Sequence, residues 1–143
     1  MNLTYSNIDA IKNAVSRRLE RMKVVFTESI ELEKEQIKSR TISGIGASDK
    51  QLSPSKYSRR WAKERQKYGL QTAYVDLKFT GAMLNAIRVA YTKKGDVIVG
   101  TIFFDTNDAS NKARWNERFP GRKFFALSKR QQQSIRTKLR QVQ

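Results

Sequence analysis

The sequence predicts an α+β fold: a long N-terminal helix and short helices packed on a small, mostly antiparallel sheet. Three observations predict it. Apolar residues recur every three or four positions between residues 6 and 40, the period of an amphipathic helix. Two runs rich in Val, Ile, Tyr and Phe flank Lys94-Gly95, the pattern of a β-hairpin. Ser128, followed three residues later by Gln131, opens a last helical stretch with a capping box. With no repeat and no dividing linker, a chain of 143 residues reads as a single domain over 1–143.

In the first helix, Ile8, Ile11, Val15, Leu19, Met22, Phe26, Ile30 and Ile37 form a narrow stripe. Ser6 is the expected N-cap, with Asp9 three residues on. Val24, Val25 and Leu32 lie off the stripe and predict a second contact face or a bend. Lys12, Arg17, Arg18, Arg21 and Lys23 precede Glu28, Glu31, Glu33 and Glu35. That order opposes the helix dipole, so the helix is expected to answer to partners. Val15, Leu19, Met22, Phe26 and Ile30 are the candidate subunit-packing residues.

The stretch 41–53 is aperiodic and rich in small residues, which predicts a flexible loop. Its Gly44 and Gly46 lack the preceding strand and the following Gly-Lys-Ser/Thr of a phosphate loop. Ser53-Pro54 predicts the start of a second helix, with Ser53 as N-cap and Pro54 at the first helical position. Tyr57, Trp61, Glu64 or Arg65, and Tyr68 share one side of it; Arg59, Arg60, Lys63 and Lys67 share the other, and Gly69 ends it. Aromatics interleaved with bases can stack on nucleobases and bind phosphates. Helical spacing favours packing of Tyr57 and Trp61 into a core instead.

Residues 72–79 predict an extended segment or short strand, and Met83, Leu84 and Ile87 a short helix after Gly81. Gly100, inside the second hairpin strand, predicts a bulge or a close backbone approach. Asp105-Thr106-Asn107-Asp108 signals a turn before a weakly amphipathic helix over 109–117. Lys123 to Leu127 predicts a last strand, and 128–143 a basic C-terminal helix with Ile135, Leu139 and Val142 on its apolar face.

Composition narrows the chemistry. The chain has no histidine and no cysteine, which excludes Ser-His and Cys-His nucleophiles, thiolate or imidazole zinc sites, and disulfides. No enzyme activity, cofactor or metal is therefore expected. The enzymatic alternative is a metal-dependent nuclease built on Asp76-Leu77-Lys78, with a second carboxylate from Asp49 or Glu64. Asp105 and Asp108 lack the glycine and terminal glutamate of an EF-hand loop and read as turn residues.

The net charge of +16 far exceeds the ~2–8 of an ordinary small domain and favours polyanionic neighbours. Arg59, Arg60, Lys63, Lys67, Arg136 and Arg140 are the candidate DNA-facing residues, and a nucleic-acid-binding module is the alternative from another class. A hydrophobic content of 38 % is lean against a typical ~45–50 %, which predicts an elongated subunit, one that completes its burial against neighbours, or one with loose segments. No apolar run approaches the ~20 residues of a membrane span. Met1-Asn2-Leu3-Thr4-Tyr5 does not open a secretory signal. The protein is expected to be soluble and to act where it is made, with no membrane partner.

Five short motifs also follow one another in order. They are Leu52-Ser53-Pro54-Ser55-Lys56-Tyr57, then Leu77-Lys78-Phe79-Thr80-Gly81-Ala82-Met83-Leu84-Asn85-Ala86-Ile87, then Asp96-Val97-Ile98-Val99-Gly100. Lys112-Ala113-Arg114-Trp115 and Arg122-Lys123-Phe124-Phe125-Ala126-Leu127-Ser128 complete the series. In this order the chain resembles the phage virion-morphogenesis family, the tail-completion or head-tail joining proteins. The resemblance rests on Thr80, Gly81, Leu84, Ile87, Gly100, Arg122, Phe124 and Phe125. The chain departs from that family's pattern at Trp115 and Phe119, where many relatives carry histidine and glycine. The resemblance implies a homo-oligomeric ring, six-fold by expectation, between the head connector or stopper and the tail tube. It implies a place in the virion neck, host cytoplasm during assembly, and non-specific proximity to packaged DNA.

Overall fold

The computed structural model describes residues 5–95 and 97–142. Helix α1 spans Tyr5–Ile42, 38 residues, and at ~1.5 Å per residue it is about 57 Å long. The described helix begins at Tyr5, and the Ser6 side chain expected as its cap lies outside the described residues. Its two halves have different surroundings. Ile11, Val15 and Leu19 are 56, 53 and 52 % exposed, whereas Ile30 and Ile37 on the same stripe are buried. Met22 and Phe26 are half-buried between them. Residues 7–21 thus form an arm that runs beyond the body of the protein with solvent on every side.

What covers the second half of the stripe is a hairpin. Strands β1 (Ile87–Lys94) and β2 (Val97–Phe104) pair antiparallel, in register from Ile87↔Phe104 to Lys94↔Val97. Gly100 pairs regularly with Tyr91, so there is no bulge. The glycine serves close approach: a Cβ there would lie 3.3 Å from Ile30 Cγ1 and from Phe26 Cε1. The Tyr91 hydroxyl donates to the Thr27 carbonyl of α1 at 2.8 Å. Gly95, at φ +58°, turns the hairpin, and Asp96 beside it lies outside the described residues.

Among the described residues the sheet has these two strands alone. The segment expected as a strand over 72–79 pairs with nothing, because Leu77 takes a left-handed conformation (φ +49°) and Asp76 accepts the Lys78 N–H on its own side chain. The strand expected over Lys123–Leu127 is absent for a related reason. Its backbone groups are satisfied by side chains and a turn: Phe124 N–H and Phe125 N–H donate to Glu117 Oε1 at 3.1 and 2.9 Å. The Phe124 and Ala126 carbonyls accept from the Arg40 guanidinium, and the Lys123 carbonyl accepts from Ala47 N–H.

The second helix also starts later than expected. Helix α2 spans Arg59–Lys67, with Ser58 as N-cap accepting from Trp61 N–H. Ser53 cannot cap a helix at Pro54 because its carbonyl accepts from Arg122 Nε at 2.8 Å and its N–H donates to the Gly121 carbonyl. The far end is as expected. Gly69, at φ +66°, donates to Gln66, and Leu70 N–H reaches back to Arg65, a Schellman stop.

Helix α3 (Ala82–Asn85) follows Gly81, and helix α4 (Asn107–Glu117) is capped by the Thr106 side chain. Helix α5 (Lys129–Arg140) opens with the Ser128–Gln131 capping box. Gln131 also ties α5 to α1, through the Arg40 guanidinium and through Gln36 at 3.4 Å. The stretch 41–53, expected as a flexible loop, is bonded turn by turn. Gly46 N–H meets the Lys50 carbonyl, Leu52 N–H meets Gly44, and Leu52 is buried. Gly44 is required there, since a Cβ would meet the Tyr74 ring at 2.6 Å. The core joins Ile37, Leu52, Leu84, Ile87, Ala113 and Phe124 with their buried neighbours.

Candidate functional site

Helix α2 has a very polar composition, yet its Trp61–Arg65 side, with Tyr57 just ahead of the helix, makes one wall of a cleft of about 920 Å³. The 75–83 segment forms the base and α4 the opposite wall, with Leu77, Phe79, Met83 and Trp115 among the lining residues. Trp61 and Phe79 stack with ring centroids 5.4 Å apart, and Tyr68 meets the Phe79 edge at 5.2 Å. Trp61 and Trp115 nevertheless remain 43 and 56 % exposed. Large aromatics left half-wet in a concave surface are what anchors from a partner fill. Lys78, Lys112 and Arg122 also line the cleft and make it basic.

Beneath the cleft lies a closed polar cluster. Arg65 and Asp76 are both buried, and Arg65 Nη2 donates to Oδ1 and Oδ2 of Asp76 at 3.1 and 3.0 Å. Arg65 Nε and Nη1 donate to the carbonyls of Gln71 and Lys78 at 2.9 and 2.6 Å. Asp76 further accepts from the Tyr57 hydroxyl and Gln71 Nε2, each at 2.6 Å, and from Lys78 N–H at 3.0 Å. The guanidinium carbon stands 4.3 Å from the Tyr57 ring centroid, a desolvated cation–π contact.

This arrangement decides what Asp76 can do. Four donor atoms make five hydrogen bonds to its two oxygens, so no lone pair is left to point at a metal ion. Glu64, a candidate second carboxylate, turns to Lys67 at 2.7 Å, and Asp49 sits in the 46–49 turn. Among the described residues no three His, Cys, Asp or Glu side chains gather as a metal site. Burial, then the hydrogen bond to Asp76, push the Tyr57 hydroxyl up to about 12, so it stays a donor at neutral pH. Asp105 pairs with Arg88 at 2.9 Å and Asp108 with Lys112 at 2.6 Å.

The residues singled out from the sequence scatter across three environments. Thr80, Gly81 and Arg122 line the cleft; Leu84, Ile87 and Phe124 are buried in the core. Phe125 packs on Phe104 with centroids 4.3 Å apart, and Arg122 lies over the Phe119 ring at 4.8 Å. Arg59, Arg60, Lys63 and Lys67 are exposed on α2, and Arg136 and Arg140 are exposed on α5. Four of these six stand on α2 and two on α5. Sequence reading missed the Arg65–Asp76 pair. The available signal was that Arg65 falls four residues after Trp61 on the aromatic side, where a solvated arginine has no place.

Compared with known proteins, the chain matches no family model, and no curated protein or solved structure matches it either.

Proposed function

We propose that the chain is a structural, non-catalytic component of a phage virion acting in tail completion. In this reading it forms an oligomeric ring in the neck, between the head connector or stopper and the tail, after assembly in the host cytoplasm. The observation that carries it is the unfinished burial of α1. Ile11, Val15 and Leu19 stay more than half exposed on a stripe whose continuation, Ile30 and Ile37, is core. Removing such a stripe from water favours association, and a closed ring covers it once on every subunit. The aromatic cleft supplies a second surface for a neighbouring virion protein. The charge of +16 suits a subunit beside packaged DNA, neutralising phosphates without reading bases.

Particle assembly tests this reading. Infections lacking the protein are expected to accumulate filled heads and finished tails that do not join, and a normal yield of infectious particles overturns it. The exposed Arg59, Arg60 and Lys63 of α2 favour a second reading, a nucleic-acid-binding module working as a monomer. That reading predicts duplex binding by the monomer that weakens steeply with salt.

A further inference from the structure

We propose that the outer edge of β2 is a pairing edge, through which two copies join, antiparallel, so that their two-stranded sheets become one. The Asp105 N–H donates to the Ala86 carbonyl at 2.9 Å, one step beyond the Ile87↔Phe104 pair of the hairpin. By the alternation of an antiparallel ladder, Val97, Val99, Thr101 and Phe103 therefore bond to β1. Ile98, Gly100, Ile102 and Phe104 turn their N–H and C=O groups the other way. Among the described residues, no other backbone meets those groups. Such a row is a template for one more strand, and β2 has nothing to discourage it. Residues 97–104 hold no charge and no proline, and Val97, Val99 and Phe103 on the outer face are 61, 42 and 37 % exposed. Strand β1, by contrast, carries Arg88, Lys93 and Lys94, and its Ile87 carbonyl accepts from Arg88 Nη1 at 3.2 Å.

Hydrogen bonding and charge select the occupant. Alternating unmet N–H and C=O groups take an extended strand. At +16 two copies repel wherever their basic residues meet, and β2 is the strand that brings none. It stands in the same unpaired state in every copy, so one two-fold contact meets both edges at once. The register that uses all the outward residues pairs Ile98 with Phe104 of the second copy and Gly100 with its Ile102. The two-fold axis then passes Thr101. On the outer face Thr101 meets its own copy and Val99 meets Phe103, at the close positions of the ladder, where hydroxyl and aromatic–β-branched pairs are favourable. Antiparallel pairing also keeps the basic turns apart. Lys94 is level with Val97, so it stands about eight residues along the sheet from its copy, roughly 27 Å. Parallel strands would set the two turns side by side. This contact uses none of the α1 stripe, so it is independent of the ring proposed above.

The absence of cysteine makes the test direct. At a close antiparallel position the Cα atoms lie ~4.5 Å apart, within reach of a disulfide. In the full chain, Thr101→Cys is expected to form disulfide-linked dimers under oxidised glutathione. Thr92→Cys, equally exposed on β1, stands three strand spacings from its copy, about 14 Å, and is expected to stay unlinked. Val99→Cys mixed with Phe103→Cys should link as a mixed pair, with neither linking to itself. Thr101→Glu lowers the net charge yet sets two carboxylates opposite each other. It is expected to halve the mass seen by light scattering, and mixing it with Thr101→Lys should restore that mass. Linking of Thr101→Cys no greater than that of Thr92→Cys, with a mass unmoved by Thr101→Glu, overturns the inference. A wild-type monomer at every concentration overturns it as well. Neither result touches the virion reading, which particle assembly decides.

Discussion

Arg65 and Asp76, eleven residues apart, close a buried ion pair in which one guanidinium nitrogen reaches both carboxylate oxygens, at 3.0 and 3.1 Å. Neither partner has another charge to turn to in that cluster. The pair fixes the start of the 76–81 segment against α2, and with it the base of the aromatic cleft.

Asp76→Ala leaves Arg65 buried without its counter-charge. The expected loss is about 3–5 kcal/mol of unfolding free energy, read from urea midpoints at neutral pH. Replacing both partners, Arg65→Met with Asp76→Leu, removes the stranded charge along with the pair. That double variant is expected to be more stable than either Asp76→Ala or Arg65→Ala, and a double variant less stable than both would contradict this account.

Tyr57 gives stability a signature in alkali. Its folded value, about 12, lies above the ordinary 10.0 because burial and the Asp76 contact disfavour the phenolate. The unfolded chain therefore binds fewer protons between those values. This contribution is fully present below pH 10 and is lost as pH rises towards 12. Tyr91 is shifted upward too, chiefly by burial, and adds in the same direction. Unfolding midpoints should fall across this window, and Tyr57→Phe should fall less steeply while starting from a lower value.

Glu33 is the opposite case. It is wholly buried in α1, and neither carboxylate oxygen finds a hydrogen-bond partner among the described residues. An unpaired buried carboxyl is destabilising. Glu33→Met removes two unsatisfied buried oxygens and is expected to raise stability by about 1–3 kcal/mol, since Arg40 keeps its bonds to Phe124, Ala126 and Gln131. A lower thermal midpoint would mean that Glu33 holds Arg40 in place.

Two glycines separate close approach from backbone conformation. At Gly100 an added Cβ meets Ile30 and Phe26 side chains at 3.3 Å, which can yield. At Gly44 the backbone is left-handed, φ +77°, and the Cβ meets the Tyr74 ring at 2.6 Å. Gly100→Ala should cost about 1 kcal/mol, and Gly44→Ala about 2 kcal/mol or more, because strain adds to overpacking.

The two halves of the α1 stripe should answer differently to truncation. Ile30→Ala, in the core, is expected to cost about 2–5 kcal/mol. Ile11→Ala, on the arm, should change monomer stability by less than about 0.5 kcal/mol while reducing the mass measured by light scattering. Equal losses of stability at both positions would mean the arm folds back on its own body.

Features bonded within a few residues were legible from the sequence. The Ser128–Gln131 box, the Gly69 stop, the turn at Gly95 and the period of α1 each carry their partners locally, and each formed as read. Ser53 and Lys123–Leu127 misled because their backbone groups are met by Arg122, Glu117 and Arg40, which the chain supplies from 69 residues away for Ser53 and 84 for Phe124. The α+β class, the long helix and the hairpin belong to the sequence alone, since helix and turn propensities act over one or two turns. Only tertiary structure decided that Arg65 is buried, that Asp76 is spent on it, and that half of the apolar stripe is covered by none of the described residues. Burial and ion pairing depend on which distant segments the topology brings together, and no local pattern records that.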